Sequence, residues 1–173
     1  MGRTGKLFGF EHFNVKPDMI SLAKGLGGGV PIGAFLMNEK TADVLQPGDH
    51  GTTFGGNAFC CAAGCVVMDI VANDGFLNEV ARKGAMIMDK LKAIKSDRIK
   101  CVRGMGMMIG IPLDDAVPAK RFAAELLEKG LVVLTAGGNT IRLLPPLTIT
   151  DDELAKGLDI LVEGLDKLRK KTC

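Results

Sequence analysis

Ser21-Leu22-Ala23-Lys24-Gly25-Leu26-Gly27-Gly28-Gly29-Val30-Pro31-Ile32-Gly33-Ala34 is the stretch on which the fold turns. It opens at the end of a short apolar run, residues 18–23, with the turn signal Lys16-Pro17-Asp18 before it. Lys24 follows directly, and a glycine cluster follows Lys24. A second apolar run of strand length, residues 32–37, comes after the cluster. The segment therefore reads as strand, lysine, glycine loop, strand. A lysine held at a strand end in a packed site loses water, and its pKa falls. Its amine is then a nucleophile able to form a Schiff base. Spacing alone favours the other reading, a surface lysine in a turn, because lysines at strand ends are common.

Downstream, residues 41–45 read as one or two helical turns closed by Pro47-Gly48. His50-Gly51-Thr52-Thr53-Phe54-Gly55-Gly56-Asn57 then leads into an apolar run, residues 58–71, with no charge before Asp69. That run reads as a buried helix with Asn57 as its N-cap. Two hydroxyls, small residues and a helix N-terminus make an anion site, or simply a capped turn. Residues 76–94 carry one apolar stripe, Leu77, Val80, Gly84, Ile87, Leu91 and Ile94, at helical spacing. Residues 99–102 and 107–111 read as two strands joined by Arg103-Gly104-Met105-Gly106. A helix is expected from Pro118 to about residue 129, with Phe122, Leu126 and Leu127 inward. Two further strands, residues 131–134 and 140–144, flank the turn Gly137-Gly138-Asn139. Thr150 and Glu153 form a capping box for a last helix. Its buried face is Leu154, Leu158, Leu161, Leu165 and Leu168, and Arg169-Lys170-Lys171 suits its C-terminus. The order predicts an α/β fold in two parts, residues 1–75 and 76–173. The second is a compact unit of helix, two strands, helix, two strands, helix.

Composition narrows the function classes. The chain has 173 residues, 47% hydrophobic and 24% charged, which excludes a disordered chain. No run of about 18 uncharged apolar residues occurs, and a membrane-spanning protein is not expected. Net charge is +2, so no nucleic-acid partner is expected. The five cysteines, Cys60, Cys61, Cys65, Cys101 and Cys173, contain no CxxC pair, and His12 and His50 complete no metal-ligand pattern. Reduced thiols in a cytoplasmic protein, with no metal, are the expectation. The glycine-rich stretches at residues 2–7 and 104–110 miss nucleotide-binding spacing. Arg142, inside Ile141-Arg142-Leu143-Leu144-Pro145-Pro146-Leu147, needs a carboxylate partner if buried. It reads as a bidentate site for a substrate carboxylate, an internal ion pair or an edge-strand surface charge.

Taken together, these segments resemble the class III aminotransferases, which depend on pyridoxal 5'-phosphate. The Lys24 stretch resembles that family's cofactor-lysine motif, and residues 50–57 its phosphate-contacting loop. Gly2-Arg3-Thr4-Gly5-Lys6-Leu7-Phe8 is similar to the segment after its Asp-Glu-Val-Gln stretch, and the Arg142 strand to its substrate-arginine strand. Order and spacing fit over the whole chain. Within the family, the Gly-Thr-Thr-Phe-Gly-Gly-Asn wording is most similar to the acetylornithine aminotransferases.

The resemblance implies the C-terminal part of a fold-type I transferase: the end of a large, mostly parallel sheet domain (residues 1–75) and a small C-terminal α/β domain (residues 76–173). It implies that Lys24 carries pyridoxal phosphate as a Schiff base and moves the proton in transamination. Thr53 would bind the cofactor phosphate across a homodimer interface, Thr52 would touch substrate, and Arg142 would bind the substrate carboxylate. The implied reaction converts N-acetylornithine and 2-oxoglutarate to N-acetylglutamate semialdehyde and glutamate, in arginine biosynthesis in the cytoplasm. Ala58 and Phe59 depart from the family's usual Pro-Leu. Members are more than twice as long. This chain is therefore expected to be a truncated product with an incomplete site, lacking the aspartate for the pyridine nitrogen, the stacking aromatic and a glycine-rich phosphate loop. Ornithine, succinylornithine and 4-aminobutyrate are alternative substrates. A non-catalytic dimerisation or folding module, and a different phosphate-binding fold, are alternative classes.

Overall fold

Hydrophobic spacing places most of the elements. The computed structural model describes residues 1–168; the tail Arg169-Lys170-Lys171 and Cys173 lie outside the described residues. The chain divides into two compact units, one of residues 1–2 and 6–77, the other of residues 3–5 and 78 onward. The sequence boundary between residues 75 and 76 compares with a division two residues later, and the early segment 3–5 joins the second unit.

In the first unit, β1 (Met19–Leu22) and β2 (Ala34–Met37) pair antiparallel, with Ser21 opposite Phe35 and Leu22 opposite Ala34. A short 3-10 turn, Lys24–Gly27, links them. Residues 39–43 form turns, not a helix. Helix α1 (Ala58–Val71) starts where Asn57 accepts a hydrogen bond from Cys60 N at 2.9 Å. Its buried residues, Cys60, Gly64 and Val71, step by four and seven along one stripe. The expectation of a wholly buried helix fails here. Phe59 is 74% exposed, and Val66 and Ile70 on the same outer side are also exposed. An uncharged run reads as buried all round, yet within this chain only one stripe of α1 has a neighbour.

Helix α2 (Asp74–Lys92) begins two residues earlier than its apolar stripe suggests. The Asn73 side chain accepts from Gly75 N at 2.9 Å and Phe76 N at 3.3 Å, so this residue starts α2 as well as following α1. In the second unit β3 (Arg103–Met105), β4 (Met108–Pro112), β5 (Leu134–Ala136) and β6 (Thr140–Leu143) form one antiparallel sheet, ordered β3-β4-β6-β5. Helix α3 (Ala119–Glu128) joins β4 to β5, and α4 (Asp151–Lys167) follows β6. The core lies between the inner sheet face and the helices: Ile109, Ile111, Ile141 and Leu143 from strands, Val80, Ile87 and Leu91 from α2, Phe122 and Leu126 from α3, and Leu154, Leu158, Leu161 and Leu165 from α4. Thr150 and Glu153 make the full capping box. Asn139, in the β5–β6 turn, accepts from Ala119 N at 2.7 Å and donates to Asp114 O and Val117 O, both at 3.0 Å. One side chain thus satisfies the start of α3 and the loop before it.

Three strand and helix expectations shift. The first hairpin strand is residues 103–105, not 99–102, where Ile99 makes only an isolated bridge to Leu113. Gly104 explains the shift: a Cβ there would stand 2.2 Å from Met108 O, so only glycine lets β3 approach β4. The next strand from the second pair begins at Leu134, later than the expected residue 131. Leu127 is 59% exposed, because Phe122 and Leu126 share a helix face that residue 127 leaves by about 100°.

Candidate functional site

Lys24 is placed by the end of β1 and the turn after it. Leu26 N donates to Ala23 O at 3.2 Å, Gly28 N to Gly25 O at 3.2 Å, and Val30 N to Gly27 O at 3.1 Å, so the loop is wound, not slack. Leu26 and Gly27 are buried, and Leu26 O lies 3.7 Å from where a Cβ on Gly64 of α1 would stand. A Cβ at residue 64 would meet the loop at ordinary contact distance, so α1 packs directly against the loop at this position. Lys24 itself has φ +54°, a left-handed conformation that costs a non-glycine residue about 1 kcal/mol or more. The packed glycine turn on one side and the strand on the other hold it there. Its side chain is exposed, not enclosed as the sequence reading expected, and makes no hydrogen bond or ion pair among the described residues.

Thr52 and Thr53 lie in the exposed loop before α1. The Thr52 methyl folds over Gly55, where a Cβ would come within 2.0 Å of it. Asn57 closes the loop by donating from Nδ2 to Phe54 O at 2.8 Å while capping α1. The hydroxyl and N–H of Thr53 make no hydrogen bond among the described residues, which leaves both for a ligand. Lys24, Thr52 and Thr53 all belong to the first unit, and Arg142 belongs to the second.

Arg142 sits on β6, between Ile141 and Leu143, whose side chains enter the core. Strand alternation therefore puts Arg142 on the outer sheet face. Its Nε is buried without a hydrogen-bond partner among the described residues. Neither an internal ion pair nor a simple surface charge describes that state. It lines a cavity of about 490 Å³ on the outer face.

Arg3 was given no role of its own in sequence, where it stood within a discounted glycine motif and within a segment that carries the resemblance. Its Nη1 donates to Pro145 O at 2.7 Å and Met107 O at 3.2 Å, and Met107 N donates back to Arg3 O at 2.9 Å. Half-burial pulls its guanidinium pKa below the ordinary value. Arg3 thereby ties the β3–β4 turn to the segment three residues after Arg142. Gly106 permits this, since a Cβ there would stand 2.5 Å from Arg3 O. Only the pairing of distant segments reveals the contact; no local pattern signals it.

The profile of the class-III aminotransferases matches residues 1–165. The chain belongs to that family. The acetylornithine aminotransferase of Bacillus subtilis is 47% identical over 166 residues, covering 95% of this chain and 43% of the relative. That of Caldanaerobacter subterraneus is 44% identical over 171 residues, covering 98% and 43%. Among solved structures, the acetylornithine aminotransferase from Elizabethkingia anophelis superposes with a TM-score of 0.87 at 35% identity, covering 96% of this chain and 43% of that one. The ornithine aminotransferase from Toxoplasma gondii, described with partial occupancy of PLP at its active site, gives 0.87 at 33%, covering 95% and 40%. This class III chain therefore spans about 43% of the length of the curated relatives. The donor set suits the family's pyridoxal 5'-phosphate: an uncommitted amine at Lys24 for its aldehyde, and the free Thr53 hydroxyl and N–H for its phosphate.

Proposed function

We propose that this chain supplies the lysine-bearing part of an aminotransferase that moves the amino group of N-acetylornithine to 2-oxoglutarate, giving N-acetylglutamate semialdehyde and glutamate. The observation that carries this is Lys24, whose backbone is held in a left-handed turn beside α1 and whose amine has no partner among the described residues. The naming of the curated relatives supports the acetylated substrate over ornithine. The exposed Lys24 and open loop favour a site that this chain completes only in part.

Lys24 Nζ would hold pyridoxal 5'-phosphate, and Thr53 would bind its phosphate through Oγ1 and N–H. Bound pyridoxal phosphate would supply the electron sink for the carbon bearing the transferred amine, which is the terminal carbon of N-acetylornithine, whose α-nitrogen is acylated, and Cα of glutamate. Lys24 Nζ would take the proton from that carbon as a base and give it up again as an acid within the same half-reaction, with the reverse transfer in the second half-reaction. Arg142 orients the substrate by holding its carboxylate, and its rigid fork suits that task better than a lysine would. Thr52 would contact the rest of the substrate. We place Thr53 at the partner's site in a homodimer, residues 1–75 in the cofactor-binding domain, residues 76–173 in the small domain, and the enzyme in the cytoplasm, serving arginine biosynthesis. No single helix among the described residues is long and apolar enough to cross a membrane.

The test is turnover of N-acetylornithine against ornithine, with 2-oxoglutarate as acceptor, in a protein of the relatives' full length carrying this sequence. The proposal expects N-acetylornithine to be preferred and Lys24→Ala to abolish turnover. Equal or higher turnover of ornithine refutes the substrate assignment.

A further inference from the structure

We infer that Arg3 is a positioning residue for Arg142: its guanidinium stands in for a rung that a proline removes from the β4–β6 ladder, and so holds the end of β6 beside that arginine. The inference rests on Arg142 taking a substrate carboxylate, and adds the residue that keeps it in place. The strand register carries the argument. Ile109 lies opposite Leu143, Gly110 opposite Arg142, Ile111 opposite Ile141 and Pro112 opposite Thr140. Opposed residues of an antiparallel pair alternate between rungs that exchange N–H···O bonds and rungs that do not. One step beyond Pro112, Leu113 N donates to Asn139 O at 3.0 Å. That bond fixes the phase. The Ile111–Ile141 and Ile109–Leu143 rungs are the bonded ones, and Arg142 sits between them. The next bonded rung would join Met107 to Pro145. The two backbones cannot make it, because Pro145 has no N–H and Met107 N donates to Arg3 O at 2.9 Å.

Both carbonyls of that rung go to Arg3 instead. Its Nη1 donates to Pro145 O at 2.7 Å and to Met107 O at 3.2 Å, one N–H to each strand. Arg3 is itself held in place. A Cβ on Gly106 would stand 2.5 Å from Arg3 O, and one on Gly84 of α2 would stand 2.4 Å from Gly106 O. The Arg3 backbone, the β3–β4 turn and α2 therefore lie in close backbone contact, and all of these residues belong to the second unit. Past Leu143 the chain runs Leu144-Pro145-Pro146, and successive prolines offer the ladder no further donor. Ends of a ladder open more readily than its middle. With Arg3 in place, the end lies at Pro145, three residues from Arg142. Without it, the last rung is Ile109–Leu143, the immediate neighbour of Arg142. Fraying then reaches the Arg142 backbone, and a small displacement weakens a carboxylate contact that depends on bidentate geometry.

The experiment uses a protein of the relatives' full length carrying this sequence, and separates KM for 2-oxoglutarate from kcat. Arg3→Ala is expected to raise that KM about tenfold and to change kcat by less than about twofold, since Arg3 acts on binding through Arg142 and not on the chemical step. Arg3→Lys keeps the charge but not the planar fork, and should raise KM by only about threefold. In an Arg142→Ala background neither change at Arg3 should raise KM further, because the residue it positions is gone. If Arg3→Ala does not fold, Arg3→Lys decides alone: a rise in KM that vanishes in the Arg142→Ala background supports the inference, and a parental KM overturns it. A KM unchanged in both variants, or a rise that persists at full size without Arg142, also overturns it. An Arg142→Ala protein with the parental KM would refute the carboxylate reading of Arg142 and this inference with it. A KM raised by Arg142→Ala but not by either Arg3 variant removes the positioning role alone.

Discussion

The two units hold their apolar residues in opposite ways. In the second, β4, β6 and the helices send side chains into one closed core, and Ile111, Ile141 and Leu165 have no exposed surface. In the first, only Leu26, Cys60, Val71 and Leu77 are buried hydrophobics, while Phe13, Phe35, Phe54 and Phe59 stand open. The chemistry follows the opposite distribution, because Lys24, Thr52 and Thr53 belong to the open unit. The difference teaches that the second unit carries most of the packed core of this chain, and the first carries the candidate site residues Lys24, Thr52 and Thr53 on a frame that is thinly packed. Arg142 is the exception, a candidate site residue placed by the well-packed unit.

Core truncation should break the symmetry most sharply. Ile141→Ala is expected to cost about 2–5 kcal/mol by chemical denaturation, from lost burial and an unfilled cavity. Phe59→Ala, on the outer side of α1, should change stability by no more than about 0.5 kcal/mol. A comparable loss at both positions would show that the first unit has a core not evident in its burial. Next comes the Arg3 tie. Arg3→Ala removes two charge-assisted bonds to carbonyls and should cost about 1.5–3 kcal/mol, with loss of hydrogen-exchange protection at Met107 as the local sign. Capping provides the third test. Asn57→Ala and Thr150→Ala each remove an N-cap worth about 1 kcal/mol. Only the Thr150 change is expected to lower the main unfolding transition, since α4 lies in the core and α1 does not.

The smallest effect concerns acid. Hydrogen bonds from the Thr150 N–H and hydroxyl hold the Glu153 carboxyl below its ordinary range. A depressed folded-state pKa contributes stability that is present above the unfolded value and lost as pH falls through the folded one. Glu153→Gln should therefore lower the second unit's stability near neutrality, where the carboxylate contributes, and converge with the parent at low pH, which flattens the acid limb. An acid limb that persists in the variant would assign the loss to other carboxylates.

Much of the second unit is legible in the sequence, because periodic leucines and a capping box report local geometry. The α4 cap and the α1 limits, residues 58–71, follow directly from side-chain chemistry. What could not be read depends on distant partners. The β3 position depends on how closely Gly104 approaches β4, and nothing in the residues around it records that approach. Hydrophobicity predicts that α1 is buried, but burial also requires a neighbour to cover it. At the site, Lys24, Thr52, Thr53 and Arg142 stand out by residue type and context. Arg3 does not, because it becomes visible only when Met107 and Pro145 are brought beside it.

The most direct test is reductive labelling. The chain is mixed with pyridoxal 5'-phosphate, reduced with borohydride, digested and mapped by mass spectrometry. The account predicts that the phosphopyridoxyl mass falls on the peptide containing Lys24 ahead of every other lysine, and disappears from it in Lys24→Ala. Label spread evenly over the exposed lysines, with no preference for Lys24, would contradict it.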